Sequence, residues 1–330
     1  MIAGMTTSTP LIGRVAVVAG ATRGAGRGIA RMLGEAGATV YCTGRSSRTQ
    51  RNTSTQHYAG RPETIEDTAE LVSAAGGTGI SLRVDHTQDE EVAALFARVQ
   101  REQERLDVLV NVLTGQPAGA WKGFWNLPID QGRAFLNGWL WPHISTCWRA
   151  APMMIKRRAG LMVEIIEQEG IGYHGQFFLD LMDVLLKRLS YGMAQELAPK
   201  GVAAVAITPG FMRTEAILEG FGATEATWRE AAEHNVQAKQ FGFIASETPC
   251  FVGRGVAALA ADPNVMRKSG GIYSSWALSE EYGFTDLDGR RPNMGAYLKE
   301  HHPHLVSGTP PTDMQWELVS ATARGSRLPD

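Results

Sequence analysis

Four glycines within nine residues, Gly20, Gly24, Gly26 and Gly28, follow an apolar run at residues 14–19 and lead into a helical pattern at 25–36. A glycine turn of this kind lets the chain reverse sharply from strand into helix, and it recurs where strands and helices alternate. That alternation continues along the chain. Further apolar runs of strand length lie at 39–43, 79–84, 107–112, 161–166, 202–207 and 270–273. Between them, apolar residues recur at three- and four-residue spacing over 63–75, 89–105, 176–198 and 252–261, which is helical periodicity. The pattern predicts an α/β fold: one doubly wound domain with a seven-stranded parallel sheet and helices on both faces. Seven strands and their crossovers use residues 13–280.

Other segments fall outside this rhythm. Residues 1–12 lack both the basic start and the sustained apolar stretch of a secretory signal, so they read as a flexible leader and the chain is expected to remain cytoplasmic. The longest apolar runs, such as 202–207, fall far short of the roughly 20 residues that span a bilayer. A net charge of −2 offers no concentrated basic surface, so neither nucleic acid nor a membrane is an expected partner. Cys42, Cys147 and Cys250 are widely spaced among apolar neighbours and are expected to be buried free thiols. Residues 45–61 hold Arg45, Arg48, Arg51, His57 and Arg61 without an acid, as either a solvated basic loop or an anion-facing one. Residues 214–247 follow a Pro-Gly turn and are placed to form a substrate lid. Residues 281–330 read as a C-terminal extension. Its His301, His302 and His304 lack companion ligands at a recognisable spacing, so no metal site is assigned.

The glycine turn can serve packing alone, but its position after the first strand also suits a dinucleotide. Gly20, Thr22, Arg23, Gly24 and Gly26 would let the backbone approach a diphosphate, whose charge meets the unpaired N–H groups at the helix N-terminus. The second strand runs out at Tyr41-Cys-Thr-Gly44-Arg45-Ser46, with no acid to hold adenosine ribose hydroxyls. Arg45, with Ser46 beside it and Arg23 in the turn, is instead suited to a 2′-phosphate. NADP(H) is therefore the expected cofactor, the alternative for Arg45 being a solvated strand end.

In this order, residues 19–26, Val84-Asp85, Leu106-Asp-Val-Leu-Val-Asn111 and Thr208-Pro209-Gly210-Phe-Met-Arg-Thr214-Glu215 resemble the short-chain dehydrogenase/reductase superfamily. The stretch 251–271 and the segment Tyr282-Gly-Phe-Thr-Asp-Leu-Asp-Gly289 resemble its branch containing mammalian dehydrogenase/reductase member 1 and bacterial relatives. The resemblance implies a Rossmann-type fold and an NADP(H)-dependent oxidoreductase. It implies that Asp85 meets the adenine, that Asn111 steadies the central sheet, and that Pro209, Gly210 and Thr214 line the nicotinamide and diphosphate. It also implies a homodimer or homotetramer built through the fourth and fifth helices. Members ordinarily carry a Tyr-x-x-x-Lys pair on the fifth helix, a Ser after the fifth strand and an Asn on the fourth helix. Here the matching places fall to Leu179 and Asp183, to Glu167, and near Leu140, with Asn137 one turn earlier.

Carboxyl groups crowd the expected catalytic mouth instead: Glu164, Glu167 and Glu169 near the strand end, Asp180 and Asp183 on the facing helix. Asp183 is expected to point toward the cofactor ribose as an acceptor. Glu167 is the first candidate proton donor, because a carboxyl desolvated beside other carboxylates holds its proton nearer neutrality. Tyr173 and His174 in the adjoining loop are substitutes. Trp121, Phe124, Trp125, Phe135, Trp139, Trp141, Trp148, Phe177 and Phe178 supply aromatic surface for core, interface or pocket. Aromatic walls with carboxylates would suit a small aromatic or cationic substrate, such as an iminium in place of a ketone. Two other functions stay open: dinucleotide binding without catalysis, and redox-neutral carboxylate catalysis on the same scaffold.

Overall fold

Strands that are apolar without alternation have no polar face to turn to water, and parallel sheets bury such strands on both sides. The computed structural model describes residues 9–50, 60–114, 123–170, 173 and 176–301. Its strands are β1 (Val15–Ala19), β2 (Thr39–Gly44), β3 (Thr78–Arg83), β4 (Val108–Asn111), β5 (Gly160–Ile165), β6 (Val202–Thr208) and β7 (Ile272–Ser274). All pair in parallel, in the order β3-β2-β1-β4-β5-β6-β7. β1 pairs with β2 on one side and β4 on the other, so the winding reverses beside it, which is where such sheets open a ligand crevice.

The helices are α1 (Gly24–Glu35), α2 (Ile65–Ala74), α3 (Asp89–Gln103), α4 (Ile129–Arg157), α5 (Phe177–Leu197), α6 (Glu215–Gly220), α7 (Trp228–His234), α8 (Val236–Gln240), α9 (Pro249–Ala261), α10 (Ser275–Tyr282) and α11 (Met294–His301). One face of the sheet is covered by Ile29 and Leu33 of α1, Val72 of α2, and Val252, Val256 and Leu259 of α9. The other is covered by Val92 and Leu95 of α3, Ala150 and Met154 of α4, and Leu197 of α5. The predicted doubly wound sheet is thus present. Among the described residues no helix is long and apolar enough to cross a membrane, and all three cysteines are buried and free.

Periodicity alone did not mark out α4, the longest helix, which contains Pro142 and Pro152. Proline removes a backbone donor and normally interrupts a helix. Residues 214–247 fold into α6, α7 and α8 around a small core of Trp228, Ala232, Ala238 and Phe243. Arg213 is buried beneath it, 4.2 Å from the Trp228 ring, and donates through Nη1 to the Ser246 carbonyl at 2.7 Å. The expected C-terminal extension begins as part of the domain. Asp286 is buried, accepts from the Thr248 amide at 2.8 Å and hydroxyl at 2.5 Å, and Phe284 packs on Phe251.

Candidate functional site

The glycine turn is dictated by backbone crowding. A Cβ at Gly20, where φ is +89°, would stand 2.3 Å from the Val112 carbonyl oxygen, and one at Gly26 would stand 2.2 Å from the Gly20 carbonyl oxygen. No side chain fits either place without moving the main chain. The turn therefore presses against β4 and leaves the start of α1 facing a cavity of about 310 Å³ at the C-terminal ends of the central strands.

Gly20, Thr22, Arg23 and Gly24 line one wall. Arg45, Ser46 and Asp85 line the end beyond β2, and Pro209 and Thr214 line the side after β6. Gly26 and Gly210 do not line it, although the sequence placed them with the others, and neither does Asn111, which was expected to steady the central sheet. Gly26 packs inside the turn, Asn111 is buried in the sheet, and the Gly210 amide is taken by Glu247 at 2.9 Å.

Two arginines of the basic stretch after β2 are neutralised within the protein. Arg48 pairs with Asp67 and Glu70, and Arg61 with Glu63 and Glu219. Arg23 also donates to Glu63, through Nε at 3.2 Å, so its charge is not reserved for a ligand. Arg45 lines the cavity wall. Arg51 and His57 lie outside the described residues.

At the opposite end, Glu167, Leu179, Met182, Asp183, Leu186 and Trp139 meet. Asp183 is buried and does not swing freely toward a ligand: Oδ1 accepts from the Glu167 amide at 2.9 Å and Oδ2 from Lys187 Nζ. Lys187, fully buried one turn along α5, also donates to the Gly170 carbonyl at 2.5 Å. The pair fastens the segment after β5 at both ends. Thr208 adds a third tie, donating its hydroxyl to the Glu167 carbonyl at 2.8 Å. Glu167 is exposed and stands on the cavity wall. Its carboxyl is held above the usual carboxylate range by desolvation and then by Asp183, against a smaller opposing effect of Lys187. Its exposure to solvent tempers that shift. Glu169 is also raised, chiefly by burial, with Ser274 and Lys187 opposing.

Other expected residues are not at the mouth. Tyr173 is 64% exposed and does not line the cavity. His174 lies outside the described residues, as do Trp121, His302 and His304. Glu164 faces a buried cluster instead of the opening: it accepts from Asn111 Nδ2 at 2.8 Å and from Cys147 Sγ at 3.2 Å, and shares a short hydrogen bond with His143 Nδ1. His143 Nε2 meets the Leu113 carbonyl at 2.8 Å. His86, on the cavity wall, is clamped between the Thr43 and Thr146 hydroxyls at 2.8 and 2.9 Å, and burial pulls its pKa down to about 3. It is a neutral brace. Sequence reasoning missed His86, His143 and Lys187; for Lys187 the i, i+4 spacing from Asp183 was the available signal. Of the aromatic set, Trp139 lines the cavity, Phe135 packs behind it at 4.8 Å, and Trp125, Trp141 and Trp148 are exposed. Among the described residues the lining includes neither tyrosine nor lysine, and no group of three His, Cys, Asp or Glu side chains is placed to hold a metal.

The cradle fits a dinucleotide: crowded glycines, a helix start on the cavity wall and a cavity across the strand ends are what a diphosphate between two nucleosides needs. A family model for short chain dehydrogenases matches residues 14–220. The chain is 35% identical over 286 residues to dehydrogenase/reductase SDR family member 1 of Mus musculus, covering 85% of each. Among solved structures, a short chain dehydrogenase of Mycobacterium thermoresistibile superposes with a TM-score of 0.68 at 19% identity, over 86% of this chain and 92% of that one. An NADPH-dependent reductase involved in bacilysin biosynthesis superposes with a TM-score of 0.62 at 21% identity, over 79% and 96%. By sequence match and by fold alike, the chain belongs to the short-chain dehydrogenase family.

Proposed function

We propose that this protein is an NADP(H)-dependent oxidoreductase that reduces a small carbonyl or imine compound with a carboxylic acid, Glu167, in the role a tyrosine holds in its relatives. The observation that carries the proposal is the meeting of Glu167, Asp183 and Leu179 at the inner end of a cavity whose other end is a dinucleotide cradle. Laid on the family pattern, the α5 sequence puts Leu179 at the Tyr place and Asp183 at the Lys place.

For the cofactor, Gly20, Thr22 and Gly24 would face the diphosphate, while Arg45 and Ser46 would face a 2′-phosphate, with no acid at the end of β2 to favour the unphosphorylated ribose. The NADPH dependence of the bacilysin-associated reductase agrees with this choice. When bound, a reduced nicotinamide supplies the hydride. Glu167, its pKa raised by desolvation at the cavity wall and by Asp183, would hold a proton to deliver to a carbonyl oxygen. For an imine already protonated, the same carboxyl in its charged form stabilises the cation beside the Trp139 ring. Asp183 and Lys187 are positioning residues: they fix the Glu167 amide and the Gly170 carbonyl. Exposed Trp141 and Trp148 on α4 support assembly as a homodimer or homotetramer.

Transfer of deuteride from 4-deuterated NADPH to a panel of cyclic imines and ketones tests the reading. Glu167→Gln is expected to lower ketone turnover by roughly 10²–10⁴-fold, the usual contribution of a positioned acid, with NADPH affinity little changed. Full turnover by Glu167→Gln would remove Glu167 from the chemistry. Nucleotide binding with no transfer to any substrate would favour the second reading, a dinucleotide-binding protein without redox activity, for which the exchange of Tyr and Lys for Leu179 and an internally paired Asp183 is the supporting observation.

A further inference from the structure

The first turns of α2 and α3 carry their own acids, Glu66 and Asp67 in one and Asp89, Glu90 and Glu91 in the other. α1 carries none, and its N-cap residue, Arg23, makes no side-chain cap. The positive end of this helix is instead met from 191 residues away: the Gly24 amide donates to Glu215 Oε2 at 2.9 Å. Arg27, on the next turn of α1, approaches Glu215 Oε1 at 3.5 Å. Glu215 is the first residue of α6 and lies on the wall of the dinucleotide cavity together with Gly24.

A carboxylate and a phosphate make the same demands of a helix N-terminus: N–H donors, the helix dipole and a nearby guanidinium. A dinucleotide laid from Arg45 at one end of the cavity to Glu167 at the other takes its diphosphate across this turn. Two anions then claim one donor. We infer that Glu215 is a built-in competitor of the cofactor diphosphate, which sets nucleotide affinity and must be displaced when the cofactor binds. Because Glu215 opens α6, the first helix after the Pro-Gly turn, nucleotide entry is coupled to release of the leading edge of the region expected to cover the substrate. The helix is not freed entirely, since Glu219 keeps its pair with Arg61 at 2.6 Å. The inference rests on the nucleotide-binding reading above.

The test is fluorescence titration of the full chain, Glu215→Gln and Glu215→Ala with three probes: NADPH, ADP-ribose and adenosine 2′-monophosphate. ADP-ribose carries the diphosphate without nicotinamide; the monophosphate lacks a diphosphate. Removing a charge-assisted competitor is expected to tighten NADPH and ADP-ribose by about tenfold, leaving adenosine 2′-monophosphate unchanged. Unchanged or weaker NADPH and ADP-ribose binding by both variants, with the natural chain binding normally, overturns the competitor while leaving the cofactor assignment intact. Equal tightening of all three probes overturns it as well, because the effect would then not lie at the diphosphate. Absence of binding by all three proteins overturns the cofactor assignment and the competitor together.

Discussion

Lys187→Met isolates the buried pair that holds the segment carrying Glu167. The substitution keeps most of the side-chain volume, and methionine adapts to irregular space, so the cavity contribution is small. What is lost is charge and hydrogen bonding: the Gly170 carbonyl loses its donor, and Asp183, 2% exposed, loses its counter-ion. Breaking a buried pair costs about 3–5 kcal/mol, and because Asp183 keeps the Glu167 amide at 2.9 Å the lower end, about 3 kcal/mol, is expected. For a chain of this size that corresponds to a fall of roughly 4 °C in Tm. Urea unfolding at neutral pH gives the free energy, and an unchanged m-value confirms that the variant unfolds from a comparable state. The double variant Asp183→Leu with Lys187→Met has no stranded charge and, relative to the single variant, loses only the acceptor of the Glu167 amide, so it should be more stable than Lys187→Met alone. A single variant within about 1 kcal/mol of the natural chain, or a double variant less stable than the single, would refute the argument that charge pairing holds this segment.

Two further outcomes follow from the site. Gly26→Ala places a methyl 2.2 Å from the Gly20 carbonyl oxygen, so the turn must open; a loss of about 1–3 kcal/mol in unfolding and of NADPH binding in titration is expected, and retention of both would show that the turn yields freely. Glu247 is buried, accepts from the Gly210 amide and the Ser275 hydroxyl, and burial pushes its pKa up to about 8, against 4.5 as the ordinary value. Its folded pKa exceeds the unfolded one, so the stability associated with its protonated form is present below about pH 4.5 and lost as pH rises through 8. Stability is expected to fall by a few kcal/mol across that window, and Glu247→Gln to flatten the decline; parallel pH profiles for the two proteins would exclude Glu247 as its source.

Much of the fold was legible because burial leaves a mark on composition. β1 is apolar throughout and β6 up to its last residue, Thr208, since both faces of a parallel strand are covered, and their limits fall within one residue of the apolar runs. α4 was obscured by its two prolines, which the surrounding packing tolerates. At the site, the line of strand ends told where Arg45, Asp85, Pro209 and Glu167 would converge. It did not tell that Glu164, three residues before Glu167, would turn away into a cluster with Asn111, Cys147 and His143, because side-chain direction depends on where the strand stops and the opening begins.

The glycine turn, fixed by backbone sterics that only local sequence controls, determined by itself that the first helix would begin against the sheet and face a cavity. What meets that helix could not be read from the chain, since Gly24 and Glu215 become neighbours only when β6 lies two strands from β4 and α6 folds back over the cavity. Charge partnership is a matter of distance in space, which decided that Arg48 and Arg61 are spent on acids of α2, α6 and the approach to α2, while Asp183 and Lys187 neutralise each other behind Glu167.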